Sequence, residues 1–341
     1  MLNFPLSNVF IIAELSANHN HKLNVALQTI RAAAETGADA IKLQTYTPDT
    51  ITIDCDNEYF RLNHGTIWDG QTLYNLYKQA YTPWEWHKAL FAEAKKCGLI
   101  CFSTPFDFTA VDFLEKFNPP AYKIASFEIF DTPLIEYAAS KMKPMIISTG
   151  LATVEDIDDA VNACLKAGNN QIALLKCTSS YPAPIEKANL LTIPDMKQRF
   201  GCEVGLSDHT LGITSPVVSV ALGARIIEKH FILDKSIGGP DAAFSLDKEE
   251  FALMVKHVRE AEKALGHVNY ELDEKAKASK ELGRSLFVVK DIPQGQELTP
   301  ENIRSIRPGY GISPKHYYEV LGKKANKTLK RGTPLRWEDI K

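Results

Sequence analysis

Residues 37–46, Gly-Ala-Asp-Ala-Ile-Lys-Leu-Gln-Thr-Tyr, place Lys42 and Gln44 inside Ala40–Tyr46, which otherwise reads as a buried β-strand. Upstream, Leu23, Leu27, Ile30 and Ala34 recur at helical spacing, and before them Val9–Ser16 is a second apolar run. Strand, helix, strand within about 40 residues is a parallel βα unit. The same alternation continues outward, with strands predicted at Ile100–Pro105, Ala121–Ser126, Pro144–Gly150, Ile172–Thr178, Glu203–His209 and Arg225–Ile232. Further helical stripes run through Val154, Ile157 and Val161, and through Phe251, Met254, Val258, Ala261 and Leu265. Eight strands at about 31 residues per unit match a closed (β/α)8 TIM barrel better than an open sheet. Thr82-Pro83-Trp84-Glu85 predicts a hydroxyl N-cap with proline at N1 and glutamate at N3; Thr153-x-x-Asp156 is a weaker box of the same kind.

One interval is long: 60 residues separate the strand starts at 40 and 100. The excess, residues 47–81, is rich in aromatic and polar groups. It reads either as a loop covering a site or subunit contact, or as packing across the barrel's outside. After 266 the chain turns polar, so residues 1–266 are expected to form the barrel, 267–283 a linker and 284–341 a small second domain, with strand-like runs at Ser285–Lys290 and Glu297–Leu298. From residue 281 onward there are 12 Lys and Arg against 7 Asp and Glu, and 27 against 35 before it. A basic tail beside an acidic barrel suits a contact between the two or an anionic ligand.

The whole chain, 341 residues with 45% hydrophobic and 24% charged residues and a net charge of −3, has no disordered composition and no overall pull toward nucleic acid or membrane. No run of about 18 apolar residues occurs, and Val9–Ala13 lacks a basic flank and meets Glu14 at once, so a cytoplasmic protein is expected. The six cysteines form no C-x-x-C pair and are expected as reduced, mostly buried thiols. The Lys323-Lys324, Lys327, Lys330-Arg331 cluster lacks interleaved aromatics and reads as a solvated face.

All eight strands become polar at their carboxyl ends, where a barrel builds its pocket. The groups there are Glu14, Gln44, Thr104, Lys123, Ser126, Glu128, Ser148, Ser179, Tyr181, Ser207, His209 and His230. A lysine within a strand buried on both faces needs a partner or a ligand. Lys42 and Lys123 therefore read either as internal pairs with Glu14 or Glu128, or as the cationic wall of an anion site whose hydroxyls are Ser126, Ser148, Ser179 and Ser207. His209 and His230 end adjacent strands and are candidate ligands of one divalent ion, with Asp208, Glu228 and Asp241 nearby.

These segments resemble the sialic acid synthase family along essentially the full chain: IIAE and NHN at 11–20, GADAIKLQT at 37–45, FSTPFD at 102–107, YKIAS at 122–126, STG at 148–150, CTSSYP at 177–182, GLSDHT at 205–210, EKHF at 228–231 and GPD at 239–241. ELSANHN at 14–20, IWDGQTLYNLY at 67–77 and YTPWEWH at 81–87 look like its pseudaminic acid branch. The chain departs from the family's usual pattern at Leu15-Ser16, at Ser179 and at His21.

The resemblance implies a (β/α)8 barrel followed by a small β-clip SAF (antifreeze-like) domain. It implies condensation of phosphoenolpyruvate with 2,4-diacetamido-2,4,6-trideoxy-L-altrose, assisted by a divalent metal, Mn2+ with Mg2+ or Co2+ as alternatives, on His209 and His230. Lys42, Lys123, Ser126, Ser148, Ser179 and Ser207 would hold phosphoenolpyruvate, with Thr104 a further substrate-binding group; Glu14, Gln44, Glu128, Tyr181, Asp241 and Arg307 would position sugar and water, with Glu14 or Asp241 transferring protons. RPGYG at 307–311 looks like the arginine loop that reaches a partner's site in a domain-crossed homodimer. Three rivals stand beside this reading: the same chemistry on N-acetylmannosamine or the legionaminic precursor, a Schiff-base aldolase using Lys42 or Lys123, and a carbohydrate- or ice-binding protein with an inactive barrel.

Overall fold

Among the described residues, eight parallel strands close on themselves: β1 (Phe10–Glu14), β2 (Ala40–Thr45), β3 (Ile100–Pro105), β4 (Tyr122–Ile124), β5 (Met145–Ser148), β6 (Ile172–Cys177), β7 (Glu203–Asp208) and β8 (Ile226–His230), with β8 paired back onto β1. The computed structural model describes residues 2–63, 65 and 68–341. Met1 and, within the 47–81 insert, His64, Thr66 and Ile67 lie outside the described residues. Residues 1–266 and 267–341 form two compact units.

Helices α1 (Leu23–Glu35), α4 (His87–Lys96), α5 (Phe108–Glu115), α6 (Thr132–Ala139), α7 (Val154–Lys166), α8 (Thr192–Phe200) and α9 (Thr214–Ala221) connect the strands, and α10 (Lys248–Leu265) follows β8. The insert contributes the short α2 (Pro48–Ile51) and α3 (Leu73–Ala80). No described helix is long and apolar enough to cross a membrane.

Strand alternation sorts the side chains into two layers. Phe10, Ile12, Ala40, Phe102, Ala121, Ile146, Ala173, Leu175 and Ile226 fill the barrel's interior toward its amino end. Their neighbours one residue along, such as Ile11, Ile41, Tyr122, Ile147, Leu174, Val204 and Ile227, pack outward against the helices. Gly205 fits this taper because a Cβ there would lie 2.3 Å from the Ile226 carbonyl oxygen. Two residues above the apolar plug, the inward positions become Glu14, Lys42, Lys123, Ser148, Cys177, Ser207 and Glu228. Registers Glu14–Lys42, Glu14–His230 and Ser207–Glu228 set them side by side.

Two helix starts differ from each other. Thr153 and Asp156 form the reciprocal capping box. Thr82 caps nothing: its hydroxyl is bonded to His19 Nε2 at 3.1 Å, and the chain enters α4 through a 3-10 turn at Trp84–Trp86. The buried side-chain bond replaces the local cap that the Thr-Pro-x-Glu spelling predicts.

In the second unit α11 (Glu274–Lys280) is capped by Asp273, and β9 (Ser285–Val288) pairs antiparallel with β10 (Ile303–Ile306). A core of its own includes Leu286, Val288, Ile292, Ile303, Leu329 and Leu335. Here the predicted strand at Glu297–Leu298 reduces to a single bridge between Glu297 and Lys324, while β10 was not predicted. The small α12 (Tyr317–Val320) completes the unit.

Two buried histidines make stability pH-sensitive. His87 bonds Thr45 Oγ1 through Nε2 at 2.8 Å beside Phe113, and burial holds its pKa down to about 4; burial and then neighbouring His21 do the same for His19. Each fold-favoured neutral ring stabilises fully above pH 6.5, and its contribution is lost as pH falls toward 4, at about 1.4 kcal/mol per pH unit. Glu14 and Glu128, raised from 4.5 to about 7 by burial, act with the opposite sign between pH 4.5 and 7. H87F is therefore expected to gain stability relative to the wild type on acidification from pH 6.5 to 4, by about 3 kcal/mol, whatever its constant packing cost. Urea denaturation of both proteins across that range checks it; parallel stability curves would count against the buried neutral ring.

Candidate active site

The carboxyl end of the barrel opens on a buried cluster of four charges, none more than 4% exposed. Lys42 Nζ lies 3.1 Å from Glu14 Oε2, 3.0 Å from Glu228 Oε1 and 3.4 Å from Thr104 Oγ1. Lys123 Nζ donates to Ser148 Oγ at 2.7 Å and to the Ile124 carbonyl at 3.1 Å, and stands 3.6 Å from Glu228 Oε1. Ser207 Oγ donates to that same Glu228 oxygen at 3.2 Å. The two lysines thus share Glu228, which makes it, rather than Glu128, the second partner of the internal pairs.

Burial works against every charge in this cluster, and the neighbours decide the outcome. Burial lifts the Glu14 carboxyl to about 7 despite Lys42, and Glu228 adds to the rise. The lysines outweigh burial at Glu228 and keep it below the usual range. Burial and repulsion from Lys42 bring Lys123 down to about 8, whereas the carboxylates outweigh burial at Lys42 and raise it. Below about pH 7, where Glu14 takes up a proton, two ammonium groups face one carboxylate and the cluster carries a net positive charge.

A hydroxyl nest adjoins it. Gly150 N donates to Ser126 Oγ at 3.1 Å. A Cβ on Gly150 would lie 2.2 Å from Ser179 Oγ, 2.9 Å from Ser126 Oγ and 3.0 Å from Cys177 Sγ, so glycine alone lets these groups converge. Above the nest the His209 and His230 ring centroids are 5.2 Å apart, with Phe244 against both and Tyr181 4.5 Å from His209. His209 Nδ1 faces the Thr178 carbonyl at 3.2 Å and Cys177 Sγ at 3.7 Å. His230 Nδ1 is buried with no hydrogen-bond partner, 3.7 Å from Asp241 Oδ2. Burial, then His209, pushes His230 well below its ordinary range and so keeps it a neutral donor. Among the described residues no three His, Cys, Asp or Glu groups form a ready-made metal cage.

Gln44 Nε2 bridges Glu14 Oε1 and Ser16 Oγ, at 3.1 and 3.0 Å, and Ser16 leads on to Asp241. Glu128 is half-buried; its Oε2 has no hydrogen-bond partner and burial raises the carboxyl to about 7. Glu14, Lys42, Gln44, Thr104, Lys123, Ser148, Ser207, Glu228 and His230 are thereby inward groups of the strands, with Ser126, Glu128, Ser179, Tyr181, His209 and Asp241 on the loops that follow them. Asp208 is a correction: it alternates outward and pairs with Lys229 at 2.5 Å, which removes it from the site. Arg307 belongs to the second unit, exposed on a loop whose Pro308 carbonyl accepts from Ser285 Oγ at 2.7 Å. Cys177 and Ser16 are not among the site residues expected from sequence, and Glu228, expected beside the imidazoles, instead joins the two lysines; counting by twos up β6 and β8 from Leu175 and Ile226 puts Cys177 and Glu228 inside. The Cys177 thiol lies low, at about 7, because His209 outweighs its burial.

Residues 29–270 match the NeuB family and residues 283–341 the SAF domain. The chain is 50% identical to the pseudaminic acid synthase of Campylobacter jejuni, covering 97% of this chain and 96% of the relative, and 48% identical to that of Helicobacter pylori, covering 97% of each. Its structure is similar to the N-acetylneuraminic acid synthetase of Leptospira borgpetersenii, with a TM-score of 0.71 and 33% identity over 82% of this chain and 94% of the other.

Proposed function

The chain belongs to the NeuB family, and from that premise we propose that it condenses phosphoenolpyruvate with the open-chain aldehyde of 2,4-diacetamido-2,4,6-trideoxy-L-altrose and water, yielding pseudaminic acid and phosphate. The observation that carries the chemistry is the lysine pair sharing Glu228 beside a hydroxyl nest, a cationic pocket for a small anion. The choice of sugar rests on the 48–50% identity to pseudaminic acid synthases, against 33% to the N-acetylneuraminic acid synthetase.

Lys42, Lys123 and the hydroxyls of Thr104, Ser126, Ser148, Ser179 and Ser207 hold the phosphate and carboxylate of phosphoenolpyruvate. Its methylene carbon attacks the aldehyde carbon, and the aldehyde oxygen takes up a proton. Water adds to the resulting oxocarbenium carbon and loses a proton; the new hydroxyl then gives its proton to the departing phosphate as the C–O bond to phosphate breaks, leaving the 2-keto acid and hydrogen phosphate. Glu14, near neutrality and reached by Gln44, and Asp241 are the groups placed to carry those protons. Gln44, Glu128, Tyr181 and Arg307 orient the sugar and water.

The orphaned Nδ1 of His230 beside His209 suits a divalent cation, Mn2+ in our reading, with Mg2+ or Co2+ as alternatives. Bound there, the cation supplies Lewis-acid polarisation of the aldehyde. The partners are these small molecules and a second copy of the chain in a domain-crossed homodimer that lends Arg307, with no membrane or nucleic acid involved; we place the reaction in the cytoplasm.

Incubating the protein with phosphoenolpyruvate, divalent metal and each candidate sugar tests the function. Phosphate release with the altrose-configured sugar is expected; turnover with N-acetylmannosamine or the legionaminic precursor alone would move the choice to that sugar, and no turnover with any would end it. In the same assay R307A is expected to lose activity while sedimenting as a dimer. A fully active monomer unaffected by R307A would overturn the crossed arrangement.

A further inference from the structure

Ser16 sits two residues past β1 at a φ of 47°, a left-handed conformation that non-glycine residues hold only under constraint. It is buried, and its Oγ donates to Asp241 Oδ2 at 2.5 Å while accepting from Gln44 Nε2 at 3.0 Å. The next amide, Ala17 N, points at the same Asp241 oxygen from 3.4 Å. The left-handed turn thus delivers a hydroxyl and an amide to one carboxylate oxygen. The chain reaches Asp241 through Gly238 and Gly239, both at positive φ, and Pro240, and Ser245 Oγ donates to the Asp241 carbonyl at 2.7 Å, so the backbone is held there while the Ser16 turn aims the carboxylate.

We propose that Ser16 is a positioning residue for the reaction: its hydroxyl fixes the Asp241 carboxylate beside the His209–His230 pair and ties it through Gln44 to Glu14, so that both carboxylates meet the acceptor sugar in one arrangement. Glycine would take this backbone conformation with less strain, so a purely structural turn would favour it. Serine retains the strain and gains the contact to Asp241. The inference rests on the function proposed above and adds a role to a residue that touches no reacting atom.

S16G and S16A separate strain from contact. S16G is expected to melt at or above the wild-type temperature and S16A below it, yet both should lose at least tenfold in kcat while the KM for phosphoenolpyruvate stays within twofold. S16G keeping more than half of the wild-type kcat would overturn the proposal. A double-mutant cycle in melting temperature with D241A needs no activity. S16A should cost less in the D241A background than in the wild type, and additive losses would overturn the coupling even if the wild-type protein turned over no sugar, an outcome that would separately end the functional reading.

Discussion

Lys123→Met is expected to lower kcat/KM for phosphoenolpyruvate by about a thousandfold, or about 4 kcal/mol of transition-state stabilisation, while changing the KM for the sugar less than threefold. The size follows from two losses. The charge-assisted contact to the anion disappears, and Glu228, now shared with Lys42 alone, adds a buried negative charge that opposes a second anion. Methionine keeps roughly the length and volume of the lysine stem, so the barrel is expected to stay folded. Steady-state kinetics with each substrate varied checks it; a loss below tenfold would contradict the cationic pocket. The Schiff-base rival makes a different demand. Borohydride should trap no pyruvate adduct on the wild-type protein, because two carboxylates hold Lys42 protonated and Lys123 remains an ammonium below about pH 8, so both meet the anion as cations rather than as nucleophiles.

His209→Ala and His230→Ala are each expected to reduce kcat by at least a thousandfold, with no recovery in excess divalent metal. Phosphoenolpyruvate binding should hold within about threefold, because the lysines and the hydroxyl nest are separate groups. A divalent ion held by two protein ligands depends strongly on each, and the aldehyde loses its polarising partner with either. Chelator treatment of the wild-type protein should abolish turnover in the same way. Full activity in chelator, or a variant restored by metal alone, would contradict the assignment of the two imidazoles.

The barrel was legible because parallel strands buried on both faces spell long apolar runs, and all eight predicted strands match observed ones to within about two residues at either end. The polar ends were legible for the same reason: Lys42 or Lys123 has no business in such a run without a partner or ligand. What failed was local. Asp208 and Glu228 look alike in sequence, but alternation sends one outward to Lys229 and the other inward to Lys42 and Lys123. Thr82 spells a cap, yet a buried imidazole from a distant loop claims its hydroxyl. In the second unit, short β pieces are held by isolated bridges such as Ile292–Leu329 and Ala325–Ile340, and pieces that short carry little periodicity to read. Ser16 shows a further limit, since a left-handed backbone at a serine leaves no mark in hydrophobic pattern.

Calorimetric titration of phosphoenolpyruvate into the protein without sugar asks most directly whether ammonium groups rising from β2 and β4 receive the three-carbon anion. Saturable one-site binding is expected for the wild type and for H230A, and none for the K42M/K123M pair of substitutions in one chain that remains folded by circular dichroism. Undiminished binding by that doubly substituted protein would mean that Lys42 and Lys123 serve only their internal carboxylates.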